Sequence, residues 1–545
     1  MKMFVFSFQE QSMMKPRVDA LVIVGLTVVL TANVHATKIL LFPSNINSHV
    51  RYFSRLAVDL AKLSNTVTVI VPSNARVPEF VNDKIENFTF LKYPVEKSIP
   101  ITNLPETTTV MINMAMTTSP IQRVITLGQF VENIAREGEQ DCMRLLDNIP
   151  MMRQIQETAY EFAIMDAIGA IACYNTIPYS LGIPYATLSG YVPSAYLFRV
   201  PRFFPNTISG SDRQTFLERL TTFIADFIIF SYMLPDTTYY MEKYAPNRPC
   251  IDMLELQHRR SLWFFLEDLS LNYPLPQMPN TIAVGDVMVG AKERPLSGEI
   301  KEFVSRSKHG VIIVSFGSYC EFFPPAINRR LCEAFTEATR RFGLSVIWKL
   351  KTEGFCQNDH ILTLPWIPQY DLLAHPKVKL FLSHGGFNSV IESVYHSKPL
   401  IILPLAIDQP GNAAAAESKG YAIQMKITDF TSESLVSNIH KLLTDPSYKH
   451  NISLASAILR DRRDTPAQRV SAMIDHVVRY GDRHLRTGAF ELSALQFMMF
   501  DIFAVFVAAA VFLFSVVTLF CCCVYRTCFR RCTSSQNELK KYKSQ

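Results

Sequence analysis

Charge is scarce in this chain. Asp, Glu, Lys and Arg make up 19% of its 545 residues and apolar types 48%, against about a quarter charged in ordinary soluble domains. So apolar a chain is not disordered over most of its length. Basic surplus is scarcer than the formal net charge of +6 suggests, because the residues after Tyr525 hold Arg526, Arg530, Arg531, Lys540, Lys541 and Lys543 against the single acid Glu538. The remainder is close to neutral, which leaves nucleic acid without support as a partner. Cys142, Cys173, Cys250, Cys320, Cys332 and Cys356 are scattered with no CxxC pair, so metal-ligand spacing is missing and no metal is expected. Internal repeats and low-complexity segments are missing too. A chain of this length then reads as two globular domains with accessory segments.

Both ends carry targeting features. Lys15 and Arg17 precede the apolar run Ala20–Leu30, and Val34-His35-Ala36 offers a small-residue cleavage pattern. That combination predicts a secretory signal peptide over 1–36, with a retained signal anchor as the competing reading. The uncharged stretch Ile502–Val524 is long enough to cross a hydrocarbon core of about 30 Å. Arginines follow at once, which predicts a cytosolic tail and a single-pass type I protein. Cys521, Cys522, Cys523, Cys528 and Cys532 crowd that boundary as acylation sites or as small apolar residues at a helix end. An oxidising lumen would allow one or two disulfides among the earlier cysteines, though domains this large do not need them. Asn87-Phe-Thr89 and Asn451-Ile-Ser453 are glycosylation sequons, meaningful only there.

Between the ends, strand and helix patterns alternate. Lys38–Phe42 is a short buried-strand run. Phe53, Leu56, Ala57, Leu60 and Leu63 recur at helical spacing, and Thr66–Val71 is the next strand. This βαβ unit begins a doubly wound parallel sheet. Phe162–Met165 and Ile183–Thr187 add strands, and Thr221–Leu234 reads as a core helix or a segment dipping into a membrane interface. Prolines and glycines from Pro274 to Pro295 break the pattern. It restarts with strands at Val311–Val314, Ser345–Trp348, Lys379–Leu382 and Leu400–Leu403, and helices at Ala326–Arg341, Ser389–Tyr395 and Asn412–Lys419. The expected architecture is α/β, with two doubly wound domains, 37–285 and 286–485, facing a ligand-binding cleft. A juxtamembrane segment (486–501), the membrane helix (502–524) and a basic tail (525–545) follow.

The stretch Trp366-Ile-Pro-Gln369, then Phe381-Leu-Ser-His-Gly-Gly-Phe-Asn-Ser389, Glu392 and Pro404-Leu-Ala-Ile-Asp408-Gln409 carries chemistry. A strand runs into His384-Gly385-Gly386 and a helix begins at about Asn388, so free backbone N–H groups and the helix dipole favour a phosphate there. Taken singly, Trp366 reads as core, Glu392 as surface and Asp408 as a helix cap. The whole order resembles the nucleotide-sugar signature of UDP-glycosyltransferases. Its surroundings, including Asp371-Leu-Leu-Ala-His375-Pro376 and Asn412, resemble the animal UDP-glucuronosyltransferases over nearly the entire chain.

That resemblance implies a GT-B-like fold and a set of roles. Trp366 would stack on uracil, Gln369 would bond the uridine, and Glu392 would accept both ribose hydroxyls. His384, Gly386, Asn388 and Ser389 would hold the diphosphate, with Ser315 and Ser318 opposite. Asp408 and Gln409 would bind the transferred sugar. Lys349 stands where many relatives have arginine, turning a bidentate phosphate contact into a point charge. UDP-sugar is a co-substrate, and no cofactor is implied.

Inverting transfer to a hydroxyl needs a base. His49 opens the first helix, where the dipole disfavours imidazolium, so a carboxylate is needed behind the ring. Asp166 follows the strand Phe162–Met165 and so lies on the same carboxyl edge. The resemblance independently selects this pair. A small lipophilic acceptor and a membrane are the further expected partners, and a homo-oligomer is left open. Two competing readings stand beside this one: a glycolipid- or sterol-type transferase, and a silent sugar-nucleotide-binding membrane protein. Finally, Lys541 and Lys543 sit at the spacing of a dilysine-type retrieval signal, which predicts residence in the endoplasmic reticulum membrane.

Overall fold

The computed structural model describes residues 36–78, 80–81, 85–95, 105–117, 120–167, 171–190, 215–220, 236–274, 277–317, 323–351, 355–356 and 358–544. The signal-peptide region before Ala36, the segment Thr221–Leu234 and Ser318 lie outside the described residues.

Seven parallel strands form the first sheet. They are β1 (Lys38–Phe42), β2 (Thr66–Pro72), β3 (Phe88–Tyr93), β4 (Phe162–Asp166), β5 (Tyr185–Ser189), β6 (Leu262–Phe265) and β7 (Thr281–Ala283), in spatial order β3-β2-β1-β4-β5-β6-β7. Its central strands read as unbroken apolar runs because helices cover both faces of a parallel sheet. Ile39, Leu40 and Leu41 of β1 and all of Phe162–Met165 are fully buried. The second sheet has six parallel strands: β8 (Val311–Ser315), β9 (Ser345–Lys349), β10 (Ile361–Leu364), β11 (Val378–Ser383), β12 (Leu400–Ile402) and β13 (Ala422–Gln424), in order β10-β9-β8-β11-β12-β13. The expected strands are all present, with ends that agree to within two residues. Asp166 is therefore the last residue of its strand rather than the first beyond it.

Strand order reverses direction between β1 and β4 in the first sheet and between β8 and β11 in the second. In open α/β sheets, ligands bind outside the carboxyl ends of the strands at these switch points, where the loops diverge and leave a crevice. Helix α1 (Asn47–Ala61) follows β1, and helix α2 (Gln369–Ala374) follows β10. Helix α3 (Phe387–Tyr395) follows β11, and helix α4 (Gln409–Ser418) follows β12. Each of α3 and α4 begins two or three residues earlier than the periodicity predicts. Pro410, in the first turn of α4, has no N–H to lose there and brings a helical φ.

The two sheets are clasped by the chain's return. Helix α5 (Pro466–Tyr480) lies after the second sheet in sequence, yet packs on α1 of the first. Thr37 donates to Asp475 at 3.1 Å and Asn65 to Ser471 at 3.0 Å. Val470, Ile474 and Val477 join Leu56 and Leu60 in one buried cluster that also takes in Ile313 and Val390 of the second half. Arg469 donates to Ala283 O at 3.1 Å and Arg462 pairs with Asp268, so the same region grips the last strands of the first sheet.

Two disulfides are present among the described residues. Cys142–Cys173 ties the helix Pro120–Leu146 to the helix Ile171–Leu181, and Cys332–Cys356 braces the second sheet. Helix α6 (Phe500–Tyr542) carries an apolar stretch, Phe500–Arg530, long enough to cross a membrane. It runs past the expected span without a break. Its Phe503, Val507, Leu513 and Phe514 point outward rather than into the protein.

Candidate active site

The first half of the site is made where β1 and β4 end side by side. The chain leaves β1 through Pro43 and turns, with Ser44 N–H donating to Asp166 Oδ2 at 2.9 Å. Helix α1 then starts at Asn47, which sets His49 in its first turn. His49 Nδ1 lies 2.6 Å from Asp166 Oδ2 and 2.9 Å from the Tyr52 hydroxyl. The carboxylate is 1% exposed. Its charge fixes the proton on Nδ1, leaving Nε2 as the lone-pair nitrogen. The ring keeps 16% of its surface exposed, enough for a reactant to approach Nε2. Charge behind the ring, a nitrogen in front and partial access are the features a general base requires.

The second half is built around His384. Ser383 ends β11 and its Oγ accepts from Gly385 N–H at 3.2 Å. Gly385 has φ +84°, and a Cβ there would come 2.6 Å from Ile402. His384 turns back between two loops, so a Cβ at either Gly317 or Gly386 would meet its Nε2 at 2.7 Å. Both glycines are thus demanded by one ring. Burial, followed by the Lys349 ammonium, pushes His384 down to about 4, so it stays a neutral imidazole at physiological pH. Lys349 Nζ donates to Gly317 O at 2.9 Å, which holds the loop after β8 over this ring. Ser315 closes β8, with its Oγ accepting from Gly317 N–H at 3.4 Å.

From Gly386, α3 carries the remaining donors inward. Asn388 is half-buried in its first turn and Ser389 is buried. One turn on, Glu392 is buried and accepts from Gln369 Nε2 at 2.8 Å, while the same amide reaches Ser389 at 3.3 Å. Glu392 is therefore not a surface residue, and burial raises its carboxyl above the usual range. Asp286, in the crossover between the sheets, is buried nearby and pushed up to about 7 by burial first and the Glu392 charge last. Trp366 is not core either. It is 50% exposed, with the Lys349 ammonium 4.5 Å from its ring centre.

Asp408 and Gln409 open α4 beneath this group. Asp408 accepts from Asn412 Nδ2 at 2.7 Å, and that amide also holds Gly385 O at 3.0 Å. Asp408 occupies the cap position without capping through its side chain. Gln409 Oε1 accepts from Leu405 and Ala406 N–H at 2.9 and 3.1 Å. Ile407, just before, has φ +62°, a strained conformation for a β-branched residue and one that proteins keep mainly at functional sites.

The two halves face each other. His49 lies within electrostatic reach of Asp408, and Arg51 within reach of Glu392. Thus Ser315, Lys349, Trp366, Gln369, His384, Gly386, Asn388, Ser389, Glu392, Asp408 and Gln409 form one connected neighbourhood in the second half, and His49, backed by Asp166, approaches it at Asp408. Sequence reasoning missed Ser44, Tyr52, Arg51 and Arg76, the last with its guanidinium 5.3 Å from the Trp366 ring centre.

Compared with known proteins, residues 37–535 match the family described as UDP-glucoronosyl and UDP-glucosyl transferase. The chain belongs to this family. UDP-glucuronosyltransferase 2A3 of Cavia porcellus is 26% identical over 505 residues, covering 90% of this chain and 93% of its own. UDP-glucuronosyltransferase 2B14 of Oryctolagus cuniculus is 30% identical over 391 residues, 69% of this chain and 72% of its own. Among solved structures, Phytolacca americana UGT2 complexed with UDP-2fluoro-glucose and pterostilbene superposes with a TM-score of 0.55 at 16% identity. It covers 81% of this chain and 99% of that one. This likeness establishes the GT-B fold, and family membership establishes a UDP-glycosyltransferase.

The two sequons differ in setting. Asn87 is exposed in the turn before β3, at φ +58°. Asn451 lies inside the helix Pro446–Arg460, and its Nδ2, the atom a glycan would take, donates to Gly420 O at 3.0 Å.

Proposed function

We propose that this protein is an inverting UDP-glycosyltransferase of the glucuronosyltransferase type. It moves glucuronate or glucose from a UDP-sugar to hydroxyl groups of small lipophilic acceptors, a detoxifying reaction. The observation that carries the reading is the His49–Asp166 pair at 2.6 Å, standing opposite Asp408 across the cleft. His49 Nε2 takes the acceptor's hydroxyl proton as that oxygen forms its bond to the anomeric carbon. The bond from that carbon to the β-phosphate oxygen breaks on the opposite face, and its electron pair leaves with UDP. Donors from the His384–Ser389 loop and the start of α3 stabilise the departing phosphate. Trp366, Gln369 and Glu392 hold the nucleoside, while Asp408 and Gln409 hold sugar hydroxyls.

Microsomes bearing the protein, supplied with UDP-glucuronate or UDP-glucose and a panel of phenols, should form a β-glycoside from at least one donor. Transfer to bilayer sterols or lipids alone would shift the acceptor class to membrane-resident molecules. Failure with every donor and acceptor would leave a sugar-nucleotide-binding protein without chemistry.

The same proposal includes an address. An apolar helix followed by a basic tail, with disulfides in the preceding domains, suits a type I protein of the endoplasmic reticulum with its catalytic domains in the lumen. Asn87→Gln should then increase gel mobility by one glycan, whereas Asn451→Gln should not. The Asn87 glycan should remain of the immature, high-mannose kind, and replacing Lys541 and Lys543 with Ser should let it acquire Golgi processing. An unglycosylated Asn87 in intact cells would argue against the luminal placement.

A further inference from the structure

One nitrogen of His49 faces two oxygens. Nδ1 lies 2.6 Å from Asp166 Oδ2 and 2.9 Å from the Tyr52 hydroxyl. In a neutral imidazole that nitrogen carries either a proton or a lone pair, and its two neighbours differ in which they accept. A carboxylate only accepts, so at 2.6 Å Asp166 requires Nδ1–H. A hydroxyl serves either way. It accepts from Nδ1–H, or it donates to a bare Nδ1 and leaves the proton on Nε2. In the second arrangement His49 has no lone pair to offer an acceptor's proton, and Nδ1 sets its own lone pair against a buried anion. The carboxylate therefore decides the tautomer, and the Tyr52 oxygen becomes a second acceptor for the same N–H.

The sequence places Tyr52 for that task. It stands three residues after His49 on α1, a spacing that makes helical side chains neighbours, and the two ring centres are 4.9 Å apart. The Tyr52 ring is buried, lies 5.2 Å from that of Phe53 between centres, and shares a core cluster with Val50 and Leu56. Packing locks its rotamer, so the hydroxyl is held on a fixed body while His49 keeps a partly exposed edge. Asp166 reaches Nδ1 from β4, itself tethered by Ser44 N–H at 2.9 Å. Tyr52 reaches it from the helix of the base. An N–H held between oxygens on two elements leaves the imidazole less freedom to turn than either oxygen alone, and this sets the aim of Nε2.

We propose that Tyr52 is a positioning residue for the base, its hydroxyl oxygen sharing Nδ1–H with Asp166. When the acceptor's hydroxyl proton passes to Nε2, Nδ1 keeps its own proton and the ring becomes imidazolium. Nδ1–H is then a stronger donor, at a helix N-terminus where the dipole opposes positive charge, and the phenolic oxygen offsets part of that charge. This rests on the reading of His49 as the base. It goes beyond that reading in giving the pair a third, uncharged member on the base's own helix.

Tyr52→Phe in the full-length protein tests this, since it removes the oxygen and keeps the packed ring. Its thermal midpoint should stay within a few degrees of wild type. Sugar transfer to a phenol should show kcat lowered roughly five- to tenfold, the scale of one hydrogen bond, with KM for UDP-sugar unchanged. The decisive measurement is a double-mutant cycle. In a His49→Ala background, Tyr52→Phe should cost less than about twofold further, because its effect passes through the ring that is no longer there. Equal factors in the two backgrounds would make Tyr52 a support for the fold and overturn the proposal. An unchanged kcat in the single variant would overturn it as well. So would a raised kcat, which would mean that the hydroxyl donates to Nδ1 and favours the unproductive tautomer. Full turnover by His49→Ala alone would instead sink the reading of His49 as the base, on which the proposal stands.

Discussion

His49→Ala is expected to lower sugar transfer by roughly 10²–10⁴-fold, the usual worth of a positioned general base, while UDP affinity stays close to wild type. The separation follows from where the groups sit. His49 stands on α1 of the first sheet, whereas Trp366, Gln369 and Glu392 belong to the second. Losing the ring exposes Asp166 but opens no apolar cavity, because the imidazole already retains 16% of its surface exposed. Stability should therefore change little, and a thermal midpoint within a few degrees of wild type guards against mistaking unfolding for lost chemistry. Turnover retained above about a tenth of wild type, in the range where base catalysis operates, would remove His49 from the role. Phenols of low pKa supply a second check. An acceptor already partly ionised needs the base less, so the deficit should shrink as acceptor acidity rises. A deficit indifferent to acceptor pKa would mean that His49 acts in binding instead.

The legible parts of this molecule are those whose cause is local. Val311–Val314 and Phe162–Met165 announce themselves because both faces of a central parallel strand are covered, leaving every position apolar. β3 does not, since it is an edge strand with Phe88, Phe90 and Leu91 half-buried and Thr89 and Lys92 exposed. β10 and β13 are edges as well, with interrupted burial. β6 is a different failure: Leu-Trp-Phe-Phe is fully buried and its signal was available. The nucleotide half of the site is equally local, running from the end of β10 through α3 to the start of α4 in a single stretch. The other half depends on sheet order. His49 and Asp166 are 117 residues apart and meet because β4 lies beside β1, a neighbour relation that periodicity can suggest and cannot fix. Arg76 is further removed from any sequence signal. Its place opposite Trp366 depends on how α5 clasps the two sheets, and nothing local encodes that closure.

Asp166→Asn isolates the charge behind the base from its geometry, and it too should be severe, at least about a hundredfold in turnover. Asp166 Oδ2 accepts from both Ser44 N–H and His49 Nδ1, so an asparagine carbonyl placed at the same point can keep both bonds. Ser44 N–H favours that orientation, because the flipped amide would set two donors face to face. The fold of the β1–α1 turn and the Nδ1–H tautomer should consequently survive. What disappears is the anion. When His49 takes the acceptor proton it becomes imidazolium at a helix N-terminus, where the dipole opposes positive charge, and a buried carboxylate offsets this far better than a neutral amide. The predicted signature is a fall in kcat with KM for UDP-sugar little changed, since the loss falls on the charged transition state rather than on ground-state binding. Rate should recover in part as pH rises, because hydroxide can share the removal of the acceptor proton. If Asp166→Asn instead keeps wild-type turnover, the dyad is wrong even with His49 correct. An equal loss of UDP-sugar affinity and turnover would mark Asp166 as a support for the cleft's shape rather than a partner of the base.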